Sequence, residues 1–464
     1  MKDVFERRTR VDVSVDELFA WHERPGAFER LQPPWERVEV VQRSGGITDG
    51  ARVELEARIG PLPVRWVVRH TDYERGRRFR DVQERGPFAT WEHTHSMEPA
   101  EHGGAWLSDR IEYALPLGAI GRMLGGRSVR KRLERMFAYR HRVMCDDLAA
   151  RAGRTGVRTM NVLVSGSTGL VGSALVPMLT TSGHSVTRLV RNDSAPALRG
   201  PAVVWDPAAG TLDPAALDGI SAVVHLAGEN VAGRWTAEKR QRIRESRVRG
   251  TRTLVESLLR MRRPPSVVVC ASAIGYYGNR GDELLTEASA AGRTFLSEVC
   301  VEWEQATAPL KAAGIRVVNL RLGMVLSPRG GALARMLSPF QLGLGGVIGD
   351  GRQQMSWVAI DDVIGAIGHV LSEEGLQGPV NIVSPRPVTC REFTRVLARV
   401  LRRPAIFPVP GFAARLAFGE MADELLLGSL RVHPERLLDS GYRFRFPELE
   451  GALRHLLGRQ LEAA

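Results

Sequence analysis

The sequence predicts an α/β protein in two parts, an α+β unit followed by a doubly wound parallel sheet with a small C-terminal lobe. After Met160, short apolar runs such as Val162–Val164 alternate with segments of helical periodicity. Before Met160, apolar and polar side chains alternate as they do in half-buried antiparallel strands. We therefore predict a first domain over residues 1–152, a linker at 153–159 and a second domain over 160–464, whose C-terminal lobe begins at about residue 385.

The first domain has the pattern of a strand, a short helix, a six-strand meander and a long closing helix. Ser14 and Glu17 have the spacing of a capping box, which predicts the start of the short helix. The predicted strands are Phe5–Val13, Val38–Val41, Arg52–Ile59, Val64–Tyr73, Arg77–Glu84, Thr90–Met97 and Ala105–Tyr113, and the closing helix is Ser128–Ala152.

This order of elements resembles the START-like, polyketide-cyclase-like (SRPBCC) helix-grip fold. In that family the last helix lies across a curved sheet and encloses an apolar cavity. The resemblance implies a site for a hydrophobic ligand, such as a lipid, in the first domain. The alternative is a solid core that the side chains of Trp66, Trp91, Trp106 and Phe137 fill.

Two histidines of the first domain, His93 and His95, lie two residues apart on a predicted strand and therefore face the same side of the sheet. Such a pair could bind a metal ion. More often, such a pair lies on the surface and is exposed to solvent. We therefore predict that His93 and His95 are surface residues that bind no metal.

The second domain opens with a glycine-rich loop between a buried strand and a helix predicted over Leu170–Leu179. In such a loop the first glycine permits a tight turn, the second lets the backbone approach a pyrophosphate, and the third lets the helix pack on the strand. The helix N-terminus then presents free N–H groups to the anion. The predicted cofactor-binding residues here are Gly166, Ser167, Thr168, Gly169, Leu170, Val171 and Gly172.

The second strand of this domain, predicted at His184–Val190, indicates which dinucleotide binds. An acidic residue at its end would accept the ribose hydroxyls of NAD(H). Val190 holds that place and Arg191 follows it, and an arginine can pair with a 2′-phosphate. We therefore predict NADP(H) rather than NAD(H), with Asp193 as the residue that could still take the acidic role.

The fourth predicted strand of the second domain, Ala222–Ala227, leads into a second stretch of cofactor-binding residues. A glycine at its carboxyl end fits the crevice in which open α/β sheets bind ligands. The residues predicted to line the cofactor here are Leu226, Ala227, Gly228 and Glu229.

From Met160 onward the chain resembles the extended short-chain dehydrogenase/reductase superfamily, and within it an atypical, epimerase-like branch. The motifs that carry the resemblance are HLAG before Glu229, SAIGYYG at 272–278, RLGMVLSPRGG at 321–331 and SWVAIDDV at 356–363, with AGEN, RW, SR and WE signatures at 227–230, 234–235, 246–247 and 303–304. The resemblance implies an NAD(P)-binding Rossmann domain, and a START-like domain in front of it is an arrangement known in this branch.

Active members of this superfamily use a serine, a tyrosine and a lysine four residues after the tyrosine, so that the tyrosine can carry a proton. Ser272 matches the serine, but Phe295 and Val299 stand where the tyrosine and lysine belong. No YxxxK sequence occurs anywhere in the chain. The alternatives are a phenol from Tyr276 or Tyr277, or a carboxyl group as the acid or base. The candidate carboxyl groups are those of Glu229, Glu287 and Glu302.

The composition of the chain indicates which cellular compartment and which kinds of binding partner to expect. The net charge of +12 comes from interspersed arginines without a basic block, so we expect no nucleic acid partner. Four scattered cysteines suit a reducing compartment. The charged N-terminus and the absence of a long apolar run predict a cytoplasmic protein with no signal peptide and no membrane span.

Taken together, these features predict an NADP(H)-dependent oxidoreductase or epimerase-like enzyme that acts on a small-molecule substrate and is fused to an apolar-ligand-binding module. The alternative is a non-catalytic protein that senses NADP(H) and lipid. A homodimer is compatible with either function.

Overall fold

The computed structural model describes residues 2–59, 62–152, 159–192 and 200–459. Contacts between Cα atoms divide these residues into two compact units, one made mainly of the residues before the gap at 153–158 and one made mainly of those after it. Most of the predicted linker, 153–159, lies outside the described residues. Within them, no helix combines the length and the apolar character that crossing a membrane requires.

The first unit is a seven-stranded antiparallel sheet with one long helix. Its elements are β1 (Asp3–Val11), α1 (Val15–Glu23), α2 (Ala27–Arg30), β2 (Val38–Ser44), β3 (Arg52–Ile59), β4 (Leu62–Glu74), β5 (Arg78–Arg85), β6 (Thr90–Pro99), β7 (Ala105–Ala114) and α3 (Gly118–Ala152). The strand order is β1-β7-β6-β5-β4-β3-β2, so β1 pairs with the last strand of the meander. All seven predicted strands are confirmed, whereas α3 begins ten residues before the predicted Ser128.

Apolar side chains hold the helices of the first unit against one face of this sheet. Ser14 caps α1 by accepting a hydrogen bond from the backbone N–H of Glu17, as the capping-box spacing predicts. The core contains two clusters. One includes Leu18, Phe19, Trp21, Phe79, Leu107, Met144 and Leu148, and the other includes Phe5, Trp91, Ile111, Leu133 and Phe137.

The second unit contains a seven-stranded parallel sheet and a C-terminal lobe. Its elements are β8 (Asn161–Ser165), α4 (Leu170–Thr181), β9 (Ser185–Val190), β10 (Ala202–Val204), β11 (Ala222–His225), α5 (Ala237–Leu259), β12 (Val267–Ala273), β13 (Leu284–Leu285), α6 (Phe295–Gln305), α7 (Ala308–Ala312), β14 (Arg316–Leu322), β15 (Met324–Leu326), α8 (Gly331–Gln341), β16 (Gln354–Met355), β17 (Trp357–Ala359), α9 (Ile360–Ser372), β18 (Gly378–Ile382), β19 (Val388–Thr389), α10 (Cys390–Leu401), α11 (Gly411–Phe418), β20 (Arg431–Val432), α12 (Glu435–Asp439) and α13 (Leu449–Leu456).

The order of the parallel strands is β10-β9-β8-β11-β12-β14-β18, which is the doubly wound Rossmann arrangement. The chain runs outward from β8 through β9 to β10, and then returns to β11 on the other side of β8. The order therefore reverses between β8 and β11, and ligands bind in the crevice at such a reversal, beyond the carboxyl ends of the strands. The glycine-rich loop follows β8, so the fold places it in this crevice.

Candidate functional site

The glycine-rich loop is a cradle that side chains at two of its three glycines would close. Gly166 has a φ of +65°, and a Cβ there would lie 2.8 Å from the carbonyl carbon of Leu226. A Cβ on Gly172 would lie 2.2 Å from the carbonyl oxygen of Gly166. At Gly169 the nearest atom would be 3.2 Å away, and this residue is exposed. Gly166 and Gly172 therefore shape the cradle, and Gly169 leaves its floor open to a ligand.

The donors of the cradle fit a phosphate group. Helix α4 begins at Leu170, so its N-terminal N–H groups and the positive end of its dipole lie at the cradle. The hydroxyl of Ser167 is buried there and has no hydrogen-bond partner among the described residues. A buried hydroxyl without a partner is costly, and a phosphate oxygen would supply the missing acceptor. The residues present thus fit a dinucleotide phosphate.

A buried polar chain that the sequence analysis missed supports the wall of the cradle. The hydroxyl oxygen of Ser165 accepts hydrogen bonds from the backbone N–H groups of Leu226 and Ala227, at 3.0 and 3.2 Å. Its own proton therefore points to Nδ1 of His225, 2.7 Å away, and Nε2 of His225 lies 3.2 Å from the hydroxyl of Thr251. Burial lowers the pKa of His225 to about 4, which keeps the ring neutral.

Helix α5 holds the loop after β11, which contains the predicted cofactor residues Gly228 and Glu229. The backbone N–H of Glu229 donates to the hydroxyl of Ser246, and its carbonyl accepts from Arg247 at 3.0 Å. Its carboxylate pairs with Lys239 at 2.6 Å, and this bond is the main cause of the lowered pKa of Glu229. The side chain of Glu229 is therefore engaged with the protein, whereas its backbone lies beside the crevice.

Of the two residues that bear on the choice of dinucleotide, Arg191 is described and Asp193 is not. Arg191 is exposed directly after β9, next to the cradle strand β8 in the sheet. Asp193 lies outside the described residues, so its predicted acidic role remains a prediction.

The predicted substrate residue Ser272 belongs to a row of polar side chains across three strands. In the register of the sheet, Ser272 of β12 stands opposite Arg321 of β14, and Arg321 stands opposite Asn381 of β18. The hydroxyl of Ser272 donates to Glu304 at 2.8 Å, and Glu304 forms a two-point ion pair with Arg321, at 2.8 and 2.9 Å. We call Ser272, Tyr277, Glu304, Arg321 and Asn381 the polar row.

The two predicted catalytic tyrosines occupy different environments. Tyr277 is fully buried, donates its hydroxyl to Asn381 at 2.7 Å and accepts from Arg321 at 3.0 Å. Burial raises the pKa of Tyr277 to about 12. These are the bonds of a structural side chain, and they argue against Tyr277 as the proton carrier. Tyr276 is half-buried, with the guanidinium of Arg321 lying 3.5 Å from the centre of its ring.

Of the three candidate carboxyl groups, Glu287 has the environment of an acid or base. It is buried, and one carboxyl oxygen accepts from the backbone N–H of Asn381 at 2.9 Å. The other oxygen has no hydrogen-bond partner within the described part of the chain, and burial raises the pKa of Glu287. Glu229 is paired with Lys239, and Glu302 lies on the outside of α6, 3.3 Å from Arg244.

At the positions where the superfamily resemblance places the tyrosine and lysine, the side chains serve packing. Phe295 lies in the first turn of α6, and both Phe295 and Val299 are buried in an apolar cluster with Trp235. The carboxylate of Glu424 in the C-terminal lobe accepts hydrogen bonds from the backbone N–H groups of Phe295 and Leu296. The lobe therefore caps the helix that bears the catalytic residues in active relatives.

In the first unit, the prediction that His93 and His95 decorate a surface is wrong. Their side chains are 4% and 12% exposed and face the interior under the helices, together with Asp109. The signal was present in the sequence, because Trp91 and Met97 share their face of β6 and are both buried. A cavity of about 20 Å³ borders this group, lined by both polar and apolar side chains.

Comparison with known families agrees with this geometry. Residues 162–383 match the family model of the NAD dependent epimerase/dehydratase family. Residues 11–137 match the model described as polyketide cyclase / dehydrase and lipid transport, and residues 409–456 match a domain of unknown function, DUF1731. Both resemblances, the one drawn from the order of elements in the first domain and the one drawn from the motifs of the second, are therefore confirmed.

Individual relatives match about two thirds of this chain over nearly their own whole length. An epimerase family protein of Mycobacterium bovis is 42% identical over 293 residues, which are 63% of this chain and 96% of the relative. The crystal structure of human epimerase family protein SDR39U1 with NADPH is 34% identical, with a TM-score of 0.59, and covers 64% of this chain and 99% of the human one.

Both units together resemble one solved structure. The nucleoside-diphosphate sugar epimerase of Corynebacterium glutamicum is 32% identical, with a TM-score of 0.81, and the match covers 99% of this chain and 91% of the other. The chain described here belongs to the NAD dependent epimerase/dehydratase family and carries a polyketide-cyclase-type domain ahead of its Rossmann domain.

Proposed function

We propose that the second unit binds NADP(H) at the cradle and is an oxidoreductase or epimerase that acts on a small molecule. The observation that carries the proposal is the open floor at Gly169 beside the unpartnered hydroxyl of Ser167, at the point where the strand order reverses. The NADPH bound to the human relative, which is 34% identical, supports the same choice of cofactor. NADP(H) would supply or accept the hydride.

Different residues along the crevice would bind different parts of the cofactor and the substrate. The backbone of Gly166–Gly172 would hold the pyrophosphate, and Arg191 would pair with the 2′-phosphate. Ser272 lies at the carboxyl end of β12, where its hydroxyl oxygen can accept a hydrogen bond from a substrate while it donates to Glu304. The polar row would thus orient the substrate beside the reactive end of the cofactor.

For the proton that accompanies hydride transfer, two groups near the polar row qualify. Tyr276 is the half-buried phenol of the tyrosine pair, and Glu287 is the buried carboxyl group with a raised pKa. Burial favours the protonated form of Glu287, so this carboxyl group can donate a proton as well as accept one. If Glu287 carries the proton, we expect Glu287→Gln to abolish turnover while cofactor affinity is kept. Tyr276→Phe then serves as the matched comparison.

The choice of cofactor is tested by titrating the full-length protein with NADPH and with NADH, followed by fluorescence. We expect tighter binding of NADPH, and we expect Arg191→Ala to weaken NADPH binding while NADH binding is unchanged. Arg252→Ala, an exposed arginine on α5, is the matched control and should change neither affinity. Equal affinity for both cofactors in the wild type would contradict the role of Arg191.

The alternative is a non-catalytic protein that senses NADP(H) and lipid, and the apolar pair Phe295 and Val299 favours it. A screen of carbonyl and sugar-nucleotide substrates with NADPH separates the two functions. Turnover that Ser272→Ala reduces would support the enzyme. NADPH binding without turnover of any substrate would support the sensor.

The apolar-ligand role of the first unit is supported by its match to the polyketide cyclase and lipid transport model. The cavity of about 20 Å³ has room for about one water molecule, so a lipid would require helix α3 to move away from the sheet. Titration with a fluorescent fatty acid tests this role. Saturable binding that Phe137→Trp reduces would support it, since the ring of Phe137 lines the cavity.

The cytoplasmic location and the homodimer also stay proposals. All four cysteines are free thiols, and Cys270, Cys300 and Cys390 are buried, which suits a reducing compartment. Measurement of the molar mass by light scattering would decide between a monomer and a homodimer.

A further inference from the structure

The inner face of the first unit carries a group of acidic and histidine side chains that the proposed function does not use. The register of the sheet sets Asp81 of β5 opposite both His70 of β4 and His93 of β6. One pair further along, His95 of β6 stands opposite Asp109 of β7. Opposite residues in an antiparallel sheet point to the same face, so these side chains converge.

Each of the two histidines on β6 spans the space between two carboxylates. Nε2 of His93 lies 2.8 Å from an oxygen of Asp109, and Nδ1 of His95 lies 2.6 Å from the same oxygen. The opposite ring nitrogens face Asp81. Nδ1 of His93 is 3.2 Å, and Nε2 of His95 is 3.5 Å, from one carboxylate oxygen of Asp81.

The contacts on the Asp81 side have the spacing of metal ligands rather than of strong hydrogen bonds. Ligand bonds of about 2.0–2.1 Å arranged as a tetrahedron place neighbouring ligand atoms about 3.3 Å apart. The two distances to Asp81, 3.2 and 3.5 Å, bracket that value. The ligand atoms of Asp81, His93 and His95 all lie within 4.8 Å of one another. The two contacts to Asp81 already have the ligand spacing, and binding of an ion would bring the two histidine nitrogens to the same separation.

The contacts on the other side match the outer shell of a metal site. Histidine ligands usually direct their second nitrogen at a carboxylate, which fixes the ring. Asp109 takes this place for His93 at 2.8 Å, and it lies 2.6 Å from Nδ1 of His95 although off the hydrogen-bonding direction. Asp109 is held in turn by Nε2 of His141 at 2.6 Å, and the indole of Trp91 donates to the second oxygen of Asp81 at 3.3 Å.

Without an ion, a proton is the rival occupant of this space. Burial alone would lower the pKa of His93, but Asp81 and Asp109 raise it to about 9. The other charged or titratable groups around the cluster are His22, His70, His141 and Arg140. Nδ1 of His70 is buried without a partner in the described part of the chain. A divalent ion would neutralise the negative charges of both carboxylates, whereas the proton on His93 neutralises one.

We propose that Asp81, His93 through Nδ1 and His95 through Nε2 bind a divalent first-row transition-metal ion of the Zn²⁺ type. Two imidazoles and a carboxylate are the donors such ions take in proteins. Asp81 lies on β5 and both histidines lie on β6, so the ion would tie these two strands together.

The full-length protein, stripped with a chelator and titrated with Co²⁺ and then Zn²⁺, tests the site. We expect one Co²⁺ per chain, with visible absorption bands of a four- or five-coordinate ion and without a thiolate charge-transfer band, followed by displacement by Zn²⁺. Histidine ring ¹⁵N spectra of the Zn²⁺-loaded wild type should show ligation through Nδ1 of His93 and Nε2 of His95. This measurement needs no variant to fold.

Single substitutions measure how much each residue contributes to metal binding. We expect Asp81→Asn, His93→Gln and His95→Gln to abolish stoichiometric binding. We expect His141→Gln, which keeps all three ligands and removes a partner of Asp109, to weaken binding about 10-fold. His102→Asn is the matched control because His102 is an exposed histidine of the same unit, and asparagine tolerates its φ of +64°. It should leave binding unchanged.

Three results would overturn the site. The wild type could bind no Co²⁺ stoichiometrically, in which case protons alone occupy the cluster. The ¹⁵N spectra could show ligation through other nitrogens. Binding could also survive in a folded His93→Gln or His95→Gln variant.

Discussion

His225 couples the stability of the second unit to pH through a single buried ring. In the folded chain, Ser165 donates to one ring nitrogen, and the other nitrogen contacts Thr251. A protonated ring would have a second N–H directed at Ser165, whose oxygen already accepts two backbone N–H groups. The folded pKa of about 4 lies below the ordinary value of 6.5 because burial penalises the charged ring.

We expect this residue to make the second unit less stable in mild acid. The unfolded chain binds the extra proton below pH 6.5 and the folded chain does not, so the stabilisation is complete above pH 6.5 and is lost as the pH falls toward 4. The free energy of unfolding should drop by about 2 kcal/mol between pH 7.5 and 5. Denaturant unfolding at several pH values measures it. The His225→Gln variant should lose about that much less, and an equal loss in both proteins would contradict the assignment.

The ion pair of Glu304 and Arg321 is the best-buried charge pair of the crevice. The side chain of Arg321 is 3% exposed and that of Glu304 is 13% exposed. Removal of one partner from a buried pair leaves an uncompensated charge, whereas removal of both can be nearly neutral. The two residues are 17 positions apart, with Glu304 on α6 and Arg321 on β14, and they meet through tertiary packing, so the sequence motifs that contain them did not reveal the pair.

Arg321→Met should therefore lower the free energy of unfolding by about 3 kcal/mol, and the double variant with Glu304→Met should recover part of the loss. Thermal and urea unfolding measure both. The exposed pair of Arg244 and Glu298 is the control, where Arg244→Met should cost less than about 1 kcal/mol. A double variant as unstable as the sum of its two single variants would show that the pair is not coupled.

In the turn from β8 into α4, Gly172 maintains the shape of the cradle, whereas Gly169 leaves space for the ligand. At Gly172 an added Cβ meets backbone atoms at 2.2 and 2.7 Å, so the helix would have to shift. At Gly169 the nearest atom is the carbonyl oxygen of Gly166 at 3.2 Å, so a methyl group needs an adjustment of only a few tenths of an ångström. The two positions therefore distinguish the loss of the fold from the loss of the site.

We expect Gly169→Ala to leave the thermal midpoint nearly unchanged and to weaken NADPH binding at least about 10-fold, because its methyl group blocks the approach of the pyrophosphate. Gly172→Ala should lower the thermal midpoint as well as the affinity. Thermal unfolding and NADPH titration of both variants supply the comparison. Unchanged NADPH affinity in Gly169→Ala would place the pyrophosphate elsewhere.

The sequence predicted elements better than it predicted contacts. Alternation located all seven strands of the first unit because exposed positions alternate with less exposed ones along strands such as β1, β2 and β7. The start of α3 was placed too late, since the residues from Gly118 to Gly126 contain four glycines and lack a clear polar face. The glycine loop was recognised because its spacing is local, whereas the polar row joins residues far apart in the sequence, on three strands, the turn after β12 and helix α6. The burial of His93 and His95 could have been read from Trp91 and Met97.

At the scale of the whole molecule, the extent of the match to each relative distinguishes the two units. The Mycobacterium bovis protein and the human protein each match about two thirds of this chain over nearly their entire length. The Corynebacterium glutamicum structure matches 99% of this chain. The second unit thus corresponds to an entire epimerase family protein, to which the polyketide-cyclase-type unit is added.

The second unit alone, residues 159–464, should therefore bind NADPH with an affinity within about 3-fold of the full-length chain, since the relatives that lack the first unit include one with bound NADPH. Circular dichroism checks that the fragment folds, and NADPH titration measures the affinity. A folded fragment that does not bind NADPH would show that the first unit completes the site.

Isothermal titration of the full-length protein with NADPH tests the central claim most directly, with Gly169→Asp as the paired variant. The structure predicts one NADPH per chain for the wild type. It predicts no measurable binding for the variant, because the carboxylate would occupy the floor of the cradle and repel the pyrophosphate. Absence of binding in the wild type, or equal binding in the variant, would contradict the assignment of the cradle as the cofactor site.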